Sequence, residues 1–199
     1  MAKITIYDTT LRDGTQAENF NLSTHDKIRI TLNLDELGVD FIEGGWPGAN
    51  PTTNEYFADI KNYQLNNARL TAFGSTRNFK QRPENDPNLL ALIAARTHGI
   101  TIFGKSWDVH VFDALQISLA DNLSIIEDSL GFLRAHVEYL FYDAEHFFDG
   151  FKADRDYALA TISRAEAAGA QCIVLCDTNG GTLPMEIQEI VRSVRGHFE

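Results

Sequence analysis

The sequence predicts an α/β fold built on a parallel β-sheet. Three observations lead there. Short apolar runs alternate six times with helix-like patterns. The run Cys172-Ile173-Val174-Leu175 is apolar at every position, as in strands covered on both faces. Polar residues then gather directly after each run. Both an open doubly wound sheet and a closed barrel satisfy this pattern.

The strand-like runs fall at 3–8, 39–43, 69–74, 100–104, 137–142 and 171–177. Helices are expected at 24–37, 53–62, 87–98, 121–135, 153–168 and 184–194. Ser23 and Asp26 have capping-box spacing at the start of the first helix, and Gly38 follows its end. Pro87 opens the third helix and Gly169 ends the fifth. Nothing reads as a linker, a low-complexity segment or a second domain, so residues 1–199 are expected to form a single domain.

The formal net charge of −11 argues against nucleic acid or an anionic membrane as the main partner, although a local cationic site can still hold a small anion. No stretch is long and apolar enough to span a bilayer. Met1-Ala2-Lys3-Ile4 runs straight into a strand without a signal peptide's apolar region, which implies a cytoplasmic location. Cys172 and Cys176 lie four residues apart in one run, too far for a disulfide, and are expected to be buried free thiols.

The polar clusters share one address. Arg12 and Asp13 follow the first strand, Glu43-Gly44-Gly45-Trp46-Pro47-Gly48 the second and Ser75-Thr76-Arg77 the third. Lys105 to His110 follow the fourth, Asp143-Ala144-Glu145-His146 the fifth and Asp177-Thr178-Asn179-Gly180-Gly181 the sixth. In a parallel barrel the carboxyl ends of the strands form one face, where active sites are built. The first cluster is the richest. Arg12 offers a charged donor fork for a carboxylate or oxyanion, Asp13 a hard oxygen ligand for a divalent cation, and Gly14 a backbone free to bend beside them.

The string Asp8-Thr9-Thr10-Leu11-Arg12-Asp13-Gly14 resembles the opening motif of the acyl-CoA-condensing metalloenzymes, the family of 2-isopropylmalate, homocitrate and citramalate synthases. Glu43 to Pro51, Phe103 to Asp108 and Ala144 to Lys152 resemble its citramalate branch in particular. The resemblance runs from Ile4 onward. It implies a (β/α)8 TIM barrel of which about the first six βα units are present. It also implies a Claisen-type condensation of acetyl-CoA with pyruvate, followed by thioester hydrolysis, that feeds isoleucine synthesis. The implied cofactor is a divalent cation (magnesium, manganese or zinc), with acetyl-CoA as cosubstrate, and the implied full-length assembly is a homodimer.

By resemblance, Asp13 is a metal ligand and Arg12 stabilises the alkoxide formed at the keto oxygen. Glu145 is a catalytic residue of the substrate and metal network, and Thr178 binds the 2-oxo acid carboxylate. Gln16 and Glu43 match substrate-site positions, Glu43 being equally readable as a partner of Arg12. His146 reads either as a supporting hydrogen-bonding residue or as a base. Asp108 and His110 are explained by a polar loop. The family's His-x-His ligands occur nowhere in this sequence. A barrel needs about 250 residues, so the chain is expected to be an amino-terminal portion; were it the whole molecule, strands one and six would be open edges. Alternative readings are an isopropylmalate- or homocitrate-type synthase, an acyl-CoA lyase, or a non-catalytic remnant that binds a 2-oxo acid or a partner subunit.

Overall fold

The computed structural model describes residues 4–18 and 20–198. Six strands, β1 (Tyr7–Asp8), β2 (Phe41–Glu43), β3 (Arg69–Ser75), β4 (Gly99–Lys105), β5 (Tyr139–Glu145) and β6 (Cys172–Leu175), form one all-parallel sheet. Their spatial order is the chain order, β1-β2-β3-β4-β5-β6. A doubly wound sheet reverses direction at a switch point. Unbroken succession instead curls one way, as in a partial barrel.

The helices are α1 (Thr24–Leu37), α2 (Pro51–Asp59), α3 (Pro87–Ala95), a single turn α4 (Asp108–His110), α5 (Leu119–Arg134), α6 (Phe147–Ala153), α7 (Arg155–Ala167) and α8 (Pro184–Phe198). Ser23 and Asp26 form the expected capping box, and Gly38 closes α1 at φ +85°. The expected helix at 153–168 begins later, because Asp154 leaves helical geometry at φ −142° and caps α7 by accepting from the Tyr157 amide at 3.0 Å. The residues before it form the additional helix α6. The first strand was expected from Lys3. Met1, Ala2 and Lys3, on which the leader reading also rests, lie outside the described residues.

Period-two alternation sorts the sheet's side chains. Leu140, Tyr142 and Ala144 of β5 are fully buried against the helices, with Ile102 of β4, Ala72 of β3 and Ile42 of β2 beside them. The opposite set points into the barrel. Its floor is aromatic: Tyr7, Phe41, Tyr139 and Phe141 meet at centroid distances of 5.1–6.0 Å. Above it lies a polar layer in which the Tyr7 hydroxyl donates to Glu43 and meets the hydroxyls of Thr71 and Thr101 at 2.8 and 2.5 Å.

Cys172 is exposed and Cys176 half-buried, correcting the expectation of buried thiols. Both lie on the inner face at the edge of the sheet, where no described strand continues the barrel wall. Among the described residues no helix is long and apolar enough to cross a membrane.

Candidate active site

The turn after β1 is built by its own sequence. The amides of Arg12, Asp13 and Gly14 all point at the Thr9 carbonyl, at 3.1, 2.9 and 3.2 Å. Asp8 fixes the entry to the turn by accepting from the Thr10 amide and hydroxyl at 3.0 and 3.1 Å. Leu11 is fully buried and anchors the turn in the core. Gly14 is not what allows the bend, contrary to the sequence reading: a Cβ there would meet nothing closer than 3.7 Å, and its φ is ordinary. The convergent carbonyl makes the bend instead.

Arg12 is held on three sides. Its Nε donates to Glu43, its Nη1 lies 3.0 Å from Asp13 Oδ1, and its guanidinium carbon sits 3.9 Å above the Phe73 ring. Glu43 has no solvent exposure. Burial pushes its carboxyl above the usual range and Arg12 pulls it back only in part. Glu43 therefore lies beneath Arg12 and outside the cavity wall.

A cavity of about 750 Å³ opens above this layer, at the carboxyl ends of the strands. Arg12, Asp13, Gln16, Glu145 and Thr178 all line it. They come from the loops after β1 and β6 and from the end of β5. Glu145 is paired with Lys105, its register neighbour on β4. Trp46 stands in the wall at 5.9 and 5.8 Å from the Phe73 and Phe103 rings, and its indole donates to Asn88 Oδ1 at 2.8 Å. The Trp46-Pro47-Gly48 loop thus supplies an aromatic side to the cavity. His110 and His146 stand outside it with rings 4.4 Å apart.

Three further cavity residues matter: Lys27, which the sequence did not flag, and Cys176 and Asp143, which it flagged without a site role. Lys27 on α1 is 5% exposed and donates to the Gly44 carbonyl at 2.8 Å. Burial lowers its ammonium to about 8. Its signal was a lysine one residue from buried Ile28 and four from buried Thr31, on the core stripe of a helix. Cys176 is pushed up to about 12, by burial first and by Asp143 next, and so stays a thiol. Asp143 sits two residues before Glu145 on the same inward face, a period-two signal that was legible.

Burial, and then the charge of Glu43, raises the Asp143 carboxyl to about 7. An unfolded aspartate titrates near 3.9. Between these values the folded protein keeps a proton that the unfolded chain has released. The contribution of Asp143 to stability is therefore fully present below about pH 4 and is lost as pH rises through this window to about 7. Asp143→Asn, which stays neutral, is expected to gain about 1 kcal/mol or more over wild type at pH 8 and little at pH 4. Thermal melts at the two pH values check this; an equal difference at both would contradict it.

Asp13 exposes 61% of its side chain at the cavity. Among the described residues no group of three His, Cys, Asp or Glu side chains is placed to hold a metal ion. One carboxylate does not make a divalent-cation site.

The chain is similar to (R)-citramalate synthase of Geobacter sulfurreducens, 57% identical over 198 residues, covering 100% of this chain and 38% of that protein. It is 52% identical to (R)-citramalate synthase of Sulfolobus acidocaldarius, covering 98% of this chain and 38% of that one. The chain thus spans well under half the length of these relatives. A crystal structure of hydroxymethylglutaryl-CoA lyase from Pseudomonas aeruginosa superimposes with a TM-score of 0.76 at 20% identity, over 98% of this chain and 64% of that one, and shares its barrel fold. The family model described as HMGL-like matches residues 3–199, and the chain belongs to that family.

Proposed function

We propose that these residues are the substrate-binding part of the barrel of a citramalate synthase. The observation that carries this reading is the convergence of Arg12, Asp13, Gln16, Glu145 and Thr178 on one cavity at the carboxyl ends of the strands. The 57% identity to a citramalate synthase supports it. The reaction joins the methyl carbon of acetyl-CoA to the keto carbon of pyruvate, and water then cleaves the thioester to give citramalate and CoA. That product would serve isoleucine synthesis.

In this reading Thr178 donates to the pyruvate carboxylate. Arg12 places its remaining N–H groups against the keto oxygen as negative charge develops there. Glu43 and Phe73 hold Arg12 in that attitude, and Gln16 orients the cavity face beside it. Glu145, restrained by Lys105, holds the substrate network on the opposite side. The ring wall of Trp46, Phe73 and Phe103 suits a small 2-oxo acid. Asp13 would supply one ligand of a divalent cation, whose chemistry when bound is Lewis-acid polarisation of a carbonyl. Its other ligands would lie outside the described residues. We place the full-length polypeptide in the cytoplasm as a homodimer.

The test is CoA release by the full-length polypeptide from acetyl-CoA, pyruvate and a divalent metal. Release that depends on pyruvate is expected. No such release, or a clear preference for 2-oxoisovalerate, would overturn the assignment.

A further inference from the structure

Glu145 and Thr178 reach the cavity from neighbouring strand ends, yet the β5–β6 ladder stops at Ala144 and Leu175. Two backbone bonds carry the contact a little further, from Cys176 N–H to the Ala144 carbonyl at 3.3 Å and from Phe147 N–H to the Cys176 carbonyl at 3.1 Å, and beyond them the two segments are tied by groups outside the cavity. The Asp149 carboxylate, in the first turn of α6, accepts two hydrogen bonds on the same oxygen. They come from His146 Nδ1 at 3.2 Å and Asn179 Nδ2 at 2.9 Å. A carboxylate accepts only, so His146 carries a proton on Nδ1. One side chain thus joins the residue after Glu145 to the residue after Thr178.

The consequence falls on Thr178. His146 has φ +54°, in the left-handed region that a non-glycine residue adopts when its surroundings hold it there. In this conformation its backbone N–H donates to Thr178 Oγ1 at 3.0 Å. Having accepted that bond, the Thr178 hydroxyl keeps its own hydrogen for an acceptor in the cavity. Asp149 holds the His146 ring and the Asn179 amide at once, and so sets both ends of this link.

We propose that Asp149 is a positioning residue: by bridging His146 and Asn179 it fixes Thr178 as a hydrogen-bond donor in register with Glu145, and thereby sets affinity for the 2-oxo acid. The inference rests on the reading of Thr178 as the group that binds the pyruvate carboxylate.

The test uses the full-length polypeptide, with KM measured separately for the two substrates. Asp149→Ala is expected to raise KM for pyruvate about tenfold, the scale of one lost hydrogen bond to a charged group. KM for acetyl-CoA should stay within about twofold. Both donors converge on one oxygen, so an amide carbonyl can replace it, and Asp149→Asn is expected within about threefold of wild type. Asn179→Ala, at an exposed position that can hardly compromise folding, should raise KM for pyruvate in the same sense. Combining it with Asp149→Ala should add little.

Equal rises in both KM values, wild-type KM for pyruvate in Asp149→Ala and Asn179→Ala, or no rescue by asparagine would overturn the proposal. A second readout is independent of turnover: exchange of the His146 amide hydrogen should be about tenfold faster in Asn179→Ala or Asp149→Ala than in wild type. Unchanged exchange overturns the proposal even where activity is absent. An inactive wild-type polypeptide refutes the functional reading instead.

Discussion

Replacing Arg12 by lysine is expected to lower turnover of the full-length polypeptide about a thousandfold, the scale of losing a preorganised oxyanion donor. The guanidinium has five N–H groups. Two are committed, one to Glu43 and one to Asp13. The other three remain for a ligand, on a plane fixed by the Phe73 ring 3.9 Å below. Lysine keeps the charge but has no fork. Its ammonium can satisfy the buried Glu43 carboxylate or reach into the cavity, and it cannot do both in one geometry. Glu43 has no solvent exposure and would claim it, because an unpaired buried carboxylate is costly. The loss should therefore fall on kcat rather than on folding. Steady-state kinetics with a parallel thermal melt checks this. A variant that retains more than about a tenth of wild-type kcat would show that Arg12 is not the oxyanion donor.

The contacts that hold Arg12 are only partly legible in the sequence. Arg12, Asp13, Glu145 and Thr178 were readable because each follows an apolar run, and strand ends of a parallel barrel meet on one face. The choice between a doubly wound sheet and a barrel was settled by the resemblance, and spatially by the unbroken order β1 to β6. The pairing of Glu43 with Arg12 was one of two equal readings of Glu43, and only the tight turn that brings together residues 31 positions apart decides for it. The Lys105–Glu145 pair likewise depends on strand register. The division at Asp154 escaped notice because the apolar pattern runs on through the break, while the decisive event is one cap. Gly14 misled in the other direction, since an Asp-Gly pair advertises a glycine-driven bend that the Thr9 carbonyl makes unaided.

Gly150 carries the largest structural consequence that the sequence concealed. A glycine inside a helix reads as a local cost, and alanine there should gain about 1 kcal/mol in propensity. In α6, however, a Cβ on Gly150 would lie 2.1 Å from the Ser106 carbonyl oxygen and 3.1 Å from the Trp107 Cα. Both are backbone atoms and no rotamer change can move them aside. The helix would have to retreat from the β4 loop, opening a seam beside buried Phe147 and Phe148. Overpacking of this kind costs about 3 kcal/mol or more, which exceeds the propensity gain. Gly150→Ala is therefore expected to be destabilised by about 2 kcal/mol or more in urea unfolding followed by circular dichroism. Gly131→Ala provides the contrast: it lies in α5 with nothing within 4 Å of its virtual Cβ, and should gain up to about 1 kcal/mol. Opposite signs for two glycine-to-alanine changes would show that tertiary contact, and not helix propensity, determines residue 150. Equal gains would mean that α6 does not rest on the Ser106 carbonyl. Because that contact seats α6 beside the strand end bearing Lys105, Gly150→Ala should also displace the Lys105–Glu145 pair and lower affinity for the 2-oxo acid.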